Sequence, residues 1–257
     1  MPAENSLRES SHQENRAVTE CHELLNGALR LLQPEAGNGL RVNVDTVLLA
    51  DFTRPKRSER ILEIGCAHGA VSLILAKRGL AVEGIDIQPH LIELAKQNAR
   101  LNGLEVKFTT ADIRAFRKLA KAQSYDRITV NPPYDEAGAS RRSPNEATAA
   151  AEQGSCCRLR DVIEASHYLL KNKGRLDLIM REDRLGELFA LLAEYRTPPK
   201  RLRCVHPKPG ARASVVLVEA IRSGAQGLII EPPLFITDAA GEETPELRAA
   251  YEIREAL

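Results

Sequence analysis

The sequence predicts an α/β fold: a doubly wound, mostly parallel sheet with an antiparallel hairpin at one edge. Three observations carry this. Between residues 60 and 130, short apolar runs alternate with longer amphipathic stretches, the pattern of parallel strands joined by helical crossovers. The first run leads into Glu63-Ile64-Gly65-Cys66-Ala67-His68-Gly69, a small-residue turn from a strand into a helix. The last two runs, 201–206 and 214–220, are separated by Pro207-Lys208-Pro209-Gly210 with no helix between them, so they are expected to pair as a hairpin.

Taken in order, residues 1–20 are polar and mixed in charge, and a flexible N-terminal segment is expected through residue 23. A folded domain then spans 24–222, followed by a tail over 223–257. Leu24-Leu25 and residues 29–32 form an apolar element against the core, and Asn38-Gly39 marks a turn. Asn43-Val44-Asp45 caps a short helix that starts near Asp45 and ends about Phe52. Strand 60–64, helix 69–78 with Gly79 at its end, strand 81–85 and helix 89–102 follow. Next come strand 105–109, helix 113–122 and strand 126–130. Residues 135–156, rich in Ala, Ser, Gly and charge, are too long for a routine connection and read as a lid or binding loop. Helix 159–170 ends at Gly174, and strand 175–180 and helix 184–195 precede the hairpin. The tail carries Pro232-Pro233-Leu234-Phe235 and a charged helix from Pro245.

The 257 residues suit one elaborated domain. No apolar run reaches the roughly 18 residues of a membrane span, and the polar start has no signal-peptide core, so a cytoplasmic protein without a membrane partner is expected. Cys21, Cys66, Cys156, Cys157 and Cys204 show neither a disulfide framework nor zinc spacing; free thiols and no metal are expected. A net charge of +1 argues against a general nucleic-acid binder. The charge is uneven, however. Lys200, Arg201, Arg203 and Lys208 fall in a stretch without acids, and Arg141-Arg142 lie near the middle of the chain. Such patches can hold phosphates, and these residues are the candidate substrate contacts. A monomer is favoured.

Asn131-Pro132-Pro133-Tyr134 is the most informative motif. It follows a strand, its two prolines fix φ and remove two donors, and Asn131 is held extended. The result is a rigid loop with an amide oxygen, free carbonyls and an aromatic face. Upstream, Gly65 and Gly69 bracket a turn through Cys66 and Ala67 that lets backbone approach a ligand. Asp86 ends the second strand, in Gly84-Ile85-Asp86-Ile87, about twenty residues later, where a carboxylate can accept from two ribose hydroxyls. Asp112 or the amide of Ile113 can meet an adenine edge, though Asp112 also reads as a plain helix cap. Glu63 can hold an amino group or order the loop. A pyrophosphate-binding Gly-x-Gly-x-x-Gly is absent; S-adenosylmethionine (SAM) needs none. The target is then a planar nitrogen whose delocalised lone pair makes it a poor nucleophile. Asn131 and the Pro132 carbonyl would accept from it while Tyr134 stacks on a base. His68 reads as a surface or capping histidine.

At these residues the chain resembles the bacterial tRNA1(Val) adenine-N6 methyltransferases, class I SAM enzymes that modify the adenosine next to the anticodon. The resemblance covers roughly residues 24–250 and includes residues 40–50, the glycine turn, Asn131-Pro132-Pro133-Tyr134 and Glu231-Pro232-Pro233-Leu234. It implies a Rossmann-like methyltransferase sheet, SAM as cofactor, and tRNA as substrate. It also implies cofactor contacts from Asn43 or Asp45, from the turn, and from Asp86 and Asp112, with the target held by residues 131–134. The chain departs from the family at Ala67, where Gly is usual, and at Asp135, where an aromatic is frequent. Ala150-Ala151-Glu152-Gln153 also replaces an Arg-His-Glu-like patch. Three alternatives stand beside this reading: glutamine-N5 methylation of release factors, guanine-N2 methylation of ribosomal RNA, and a non-catalytic SAM- or RNA-binding module.

Overall fold

The computed structural model describes residues 19–34, 42–132 and 157–253. It opens with a hairpin, β1 (Thr19–Leu24) and β2 (Leu29–Pro34), where the sequence reading placed a flexible segment through residue 23. Leu25, Leu29 and Leu31 of this hairpin are buried in the core, and β1 is the backbone partner that β2 needs. Helix α1 (Val44–Phe52) follows, with Asn43 Oδ1 accepting from the Thr46 N–H at 3.2 Å.

The alternating part comprises β3 (Arg60–Ile64), α2 (Ala70–Lys77), β4 (Ala81–Asp86), α3 (Pro89–Leu101), β5 (Lys107–Thr110), α4 (Phe116–Leu119) and β6 (Tyr125–Val130). A 3₁₀ turn, Ile113–Ala115, leads into α4, so the helix expected over 113–122 is broken and short. Helix α5 (Leu159–Leu169) runs directly into β7 (Leu170–Arg181). Gly174 therefore lies inside a strand and ends no helix; a Cβ there would stand 2.9 Å from the Lys171 carbonyl oxygen. Helix α6 (Leu185–Glu194), β8 (Pro199–His206), β9 (Val215–Ile221), β10 (Ile229–Ile230), β11 (Leu234–Phe235) and α7 (Pro245–Ala250) complete the order.

The described strands from β3 onward form one sheet in the order β5-β4-β3-β6-β7-β9-β8. Pairing is parallel from β5 to β7 and antiparallel for β7–β9 and β9–β8, as expected. The hairpin is not outermost: β10 and β11 lie parallel along the free edge of β8, with Glu231-Pro232-Pro233 between them. The prolines have no N–H to continue a ladder.

Strand order reverses about β3, which has β4 on one side and β6 on the other. A crevice at the carboxyl ends of strands opens at such a switch point. Two apolar layers cover the sheet. One contains α1, α2, α3, α7 and the hairpin; the other contains α4, α5 and α6. Burial on both faces explains why β3 and β6 read as continuous apolar runs.

Two asparagines one turn apart on α3 bind the hairpin. Asn102 accepts from Arg30 N–H at 2.9 Å and donates to Arg30 C=O at 2.7 Å. Asn98 does the same at Leu32, at 2.7 and 2.9 Å. Their i, i+4 spacing matches the i, i+2 spacing of the β2 backbone groups that face one side.

Candidate cofactor and target site

The β3–α2 turn is built on the end of β4. The N–H groups of Gly65 and Cys66 both donate to Ile85 C=O, at 2.8 and 2.9 Å. Ala67 N–H donates to Asp86 Oδ2 at 2.9 Å, and Gln88 N–H donates to Asp86 Oδ1 at 2.9 Å. Gly65, Ala67 and Gly69 have φ of +70°, +47° and +89°. Ala67 thus occupies a left-handed position that favours glycine, at a cost of about 1 kcal/mol. At Gly65 a Cβ would meet nothing within 4 Å, so the turn opens onto free space. At Gly69 it would lie 2.7 Å from Phe108 Cζ.

Glu63 is buried beneath the turn, and its Oε2 accepts from both the N–H and the hydroxyl of Ser72, in the first turn of α2. Burial pushes its pKa up to about 8. Asp86 is also buried, and desolvation raises its pKa as well. Among the described residues neither carboxylate has an ion-pair partner; both are held by N–H and O–H donors. Each Asp86 oxygen accepts one backbone bond, and the Gln88 side chain adds a further hydrogen bond to the carboxylate. Ile87 follows Asp86 directly, and Ala111 N–H donates to Asp86 C=O at 2.9 Å, bringing Asp112 to the same end of the sheet.

Asp112 itself is the N-cap of the 3₁₀ turn, and both its oxygens bind the Arg114 guanidinium, at 2.7 to 3.0 Å. Arg114 holds this carboxyl below its ordinary range. The side chain is thereby engaged by Arg114. Asn43 is likewise the cap of α1; Asp45 lies in the first turn of that helix. Val130 pairs with Ile64, so Asn131 stands next to Gly65 across the switch point, and Pro132 beside it is buried. Pro133, Tyr134, Arg141, Arg142 and the expected lid lie outside the described residues.

The basic cluster after α6 makes contacts within the chain. Arg201 is 13% exposed, paired with Glu219 and Glu231 and stacked over Phe52 at 4.1 Å. Arg203 binds Pro232 C=O and Glu246. Lys200 donates to Ala225 C=O and Gln226 C=O. These three fasten the tail to β8, and only Lys208 of the four lies past β8, at the same end of the sheet as Asn131. His68 is a correction. It is buried, neither ring nitrogen has a hydrogen-bond partner among the described residues, and desolvation lowers its pKa to about 4. A cleft of about 630 Å³ lined by Glu59, Arg60, Glu83, Glu105 and Lys107 opens at the amino ends of β3, β4 and β5, away from this site.

The arrangement suits SAM. Buried Asp86 favours a positively charged ligand and can accept from a ribose diol, and the open space at Gly65 gives room against the backbone. Cys21, Cys66, Cys157 and Cys204 are free thiols. No described helix is long and apolar enough to cross a membrane.

Comparison with known proteins agrees. A methyltransferase-domain family model matches residues 55–194. A tRNA1(Val) (adenine(37)-N6)-methyltransferase from Porphyromonas gingivalis is 31% identical over 195 residues, covering 72% of this chain and 76% of that one. Its namesake from Aeromonas hydrophila is 28% identical over 182 residues, covering 70% and 75%. A solved methyltransferase structure from Agrobacterium tumefaciens superposes with a TM-score of 0.64 at 21% identity, over 82% of this chain and 98% of that one, which bears on the fold alone. The chain is a class I SAM-dependent methyltransferase and belongs to the family of the tRNA1(Val) (adenine(37)-N6)-methyltransferases.

Proposed function

We propose that this enzyme methylates N6 of an adenine in tRNA, the adenosine next to the anticodon of a valine tRNA being the first candidate. The observation that carries the reading is the juxtaposition of Asn131-Pro132 at the end of β6 with the Gly65 turn at the end of β3. Asp86, with the turn from Gly65 to Gly69, would hold the cofactor, and the Ile113 backbone would meet its base. SAM supplies a methyl group on a sulfonium centre.

The chain's own residues then act on the acceptor. The Asn131 side-chain oxygen and the Pro132 carbonyl accept hydrogen bonds from the exocyclic amino group. Two fixed acceptors favour a pyramidal nitrogen with its lone pair turned away from the ring. Positioning and fixed dipoles carry the catalysis, and no strong general base is needed. Tyr134 is assigned to stacking on the base, worth about 1–3 kcal/mol. Lys208, with Arg141 and Arg142, is assigned to RNA phosphates.

The test is transfer of labelled methyl from SAM to unmodified tRNA, followed by nucleoside analysis. N6-methyladenosine should appear with the unsubstituted chain and vanish with Asn131→Ala, while SAM affinity stays within twofold. Full transfer by Asn131→Ala would remove the catalytic assignment. Product on release-factor glutamine or ribosomal guanine, with none on tRNA, would replace the substrate.

A further inference from the structure

Asn98 does more than hold the hairpin. Its side-chain amide is fully buried, accepts from Leu32 N–H, and donates both to Leu32 C=O and, at 3.0 Å, to His68 C=O. That carbonyl belongs to the His68–Gly69 peptide of the cofactor turn. The N–H of the same peptide donates to Cys66 C=O at 2.7 Å. One peptide unit is therefore held at both ends, by the turn's own bond on one side and by α3 on the other. It sits where Gly69 takes φ of +89° and α2 begins. Asn102 provides an internal comparison: it makes the same pair of bonds to the hairpin, at Arg30, but its third bond goes to Asn98 C=O within α3.

We propose that Asn98 is a positioning residue for SAM binding, acting through the His68 carbonyl to fix the His68–Gly69 peptide and so linking the hairpin to cofactor affinity. The inference rests on SAM occupying the Gly65–Gly69 turn. A turn free to rock at this peptide presents its backbone to the cofactor only part of the time, and apparent affinity falls with the competent fraction.

The test compares Asn98→Ala and Asn102→Ala. Melting temperatures should fall in both, since each loses two bonds to the hairpin backbone. SAM affinity by calorimetry, below both transitions, should fall about tenfold in Asn98→Ala and less than twofold in Asn102→Ala. In the ligand-free protein the Gly69 amide should exchange faster only in Asn98→Ala, and the KM for SAM should rise with kcat little changed. If Asn98→Ala does not fold, Asn98→Asp keeps the shape and the acceptor for Leu32 N–H but removes the amide donors to Leu32 C=O and His68 C=O; Asn102→Asp, which loses those to Arg30 C=O and Asn98 C=O, is its comparator. Equal losses of SAM affinity in the paired variants would overturn the role of Asn98. No SAM binding by the unsubstituted chain would instead overturn the cofactor reading on which it rests.

Discussion

Two sets of buried acids sit on the same face of the sheet and are treated in opposite ways. Glu63 and Asp86, at the turn, are satisfied by N–H and O–H groups and carry no cation. Asp177 and Glu219, two and three strands away, are enclosed by arginines: Arg127 reaches Asp177, Glu219 and Glu59, while Arg175 and Arg201 reach Glu219. The register joins the two sets, since Glu219 pairs with Asp177, Asp177 with Thr129, and Thr129 with Glu63. One row of residues thus runs from acids neutralised by arginines to Glu63, which burial without a cation keeps protonated below about pH 8. An ion network whose charges cancel internally fixes α1 and the tail against the sheet. Asp86, held by N–H donors with no ion-pair partner among the described residues, keeps a field that favours a cationic ligand.

The largest effect is expected where neutralised charge is broken. Arg127→Met strands Asp177 in the interior, while Glu219 keeps Arg175 and Arg201, and should cost about 3–5 kcal/mol, lowering Tm by roughly 10 °C. SAM affinity measured below the transition should not change; a tenfold weaker affinity would dissolve the contrast between the two sets. Asp86→Ala should do the reverse. Loss of its charged hydrogen bonds should weaken SAM binding roughly 100-fold, about 2–3 kcal/mol, and calorimetry showing unchanged affinity would take Asp86 out of the site.

Glu63 separates the sets by pH. Its folded pKa is raised from 4.5 to about 8, so the folded chain holds a proton that the unfolded chain has released between those values. Ligand-free stability from this group therefore falls as pH rises through that window. Asp177, raised from 3.8 to about 6, acts in the same direction at lower pH. His68, lowered from 6.5 to about 4, acts in the opposite direction, its destabilising protonation relieved as pH rises to 6.5. Of these three, Glu63 alone acts between pH 6.5 and 8. Denaturant melts should show stability declining there, and Glu63→Gln should flatten the decline. A slope unchanged in Glu63→Gln would assign the proton elsewhere. The smallest effect belongs to Ala67→Gly, which relieves a left-handed alanine and should add about 0.5–1 kcal/mol, read as a slightly higher Tm. A lower Tm would mean that the alanine methyl packs usefully.

The strands from β3 to β6, the turn and Asp86 are legible in the sequence because their cause is local: apolar runs buried on both faces, and glycines where φ is positive. The hairpin is not. Strand β1 reads Thr-Glu-Cys-His-Glu-Leu, largely exposed, and what holds β2 in place is a pair of side-chain amides some seventy residues distant. Asn98 and Asn102 do carry a signal, two amides at i, i+4 on one helix, but their partners are backbone groups that no pattern announces. The internal partners of the cluster Lys200-Arg201-Arg203 are hidden for the converse reason. Its acids, Glu219, Glu231 and Glu246, come from strand and tail segments that approach only in the fold.

Phe108 has a consequence for how this chain can change over generations. Its ring stands where a Cβ would go at two glycines on different elements, 2.7 Å from that position at Gly69 and 2.6 Å at Gly84. A methyl cannot be added at Gly84 while the ring remains, and removing the ring first leaves a cavity costing about 3–5 kcal/mol. Positions 69, 84 and 108 are thus sterically coupled, and the cofactor turn keeps its shape partly because an aromatic ring two strands away fills the space beside it.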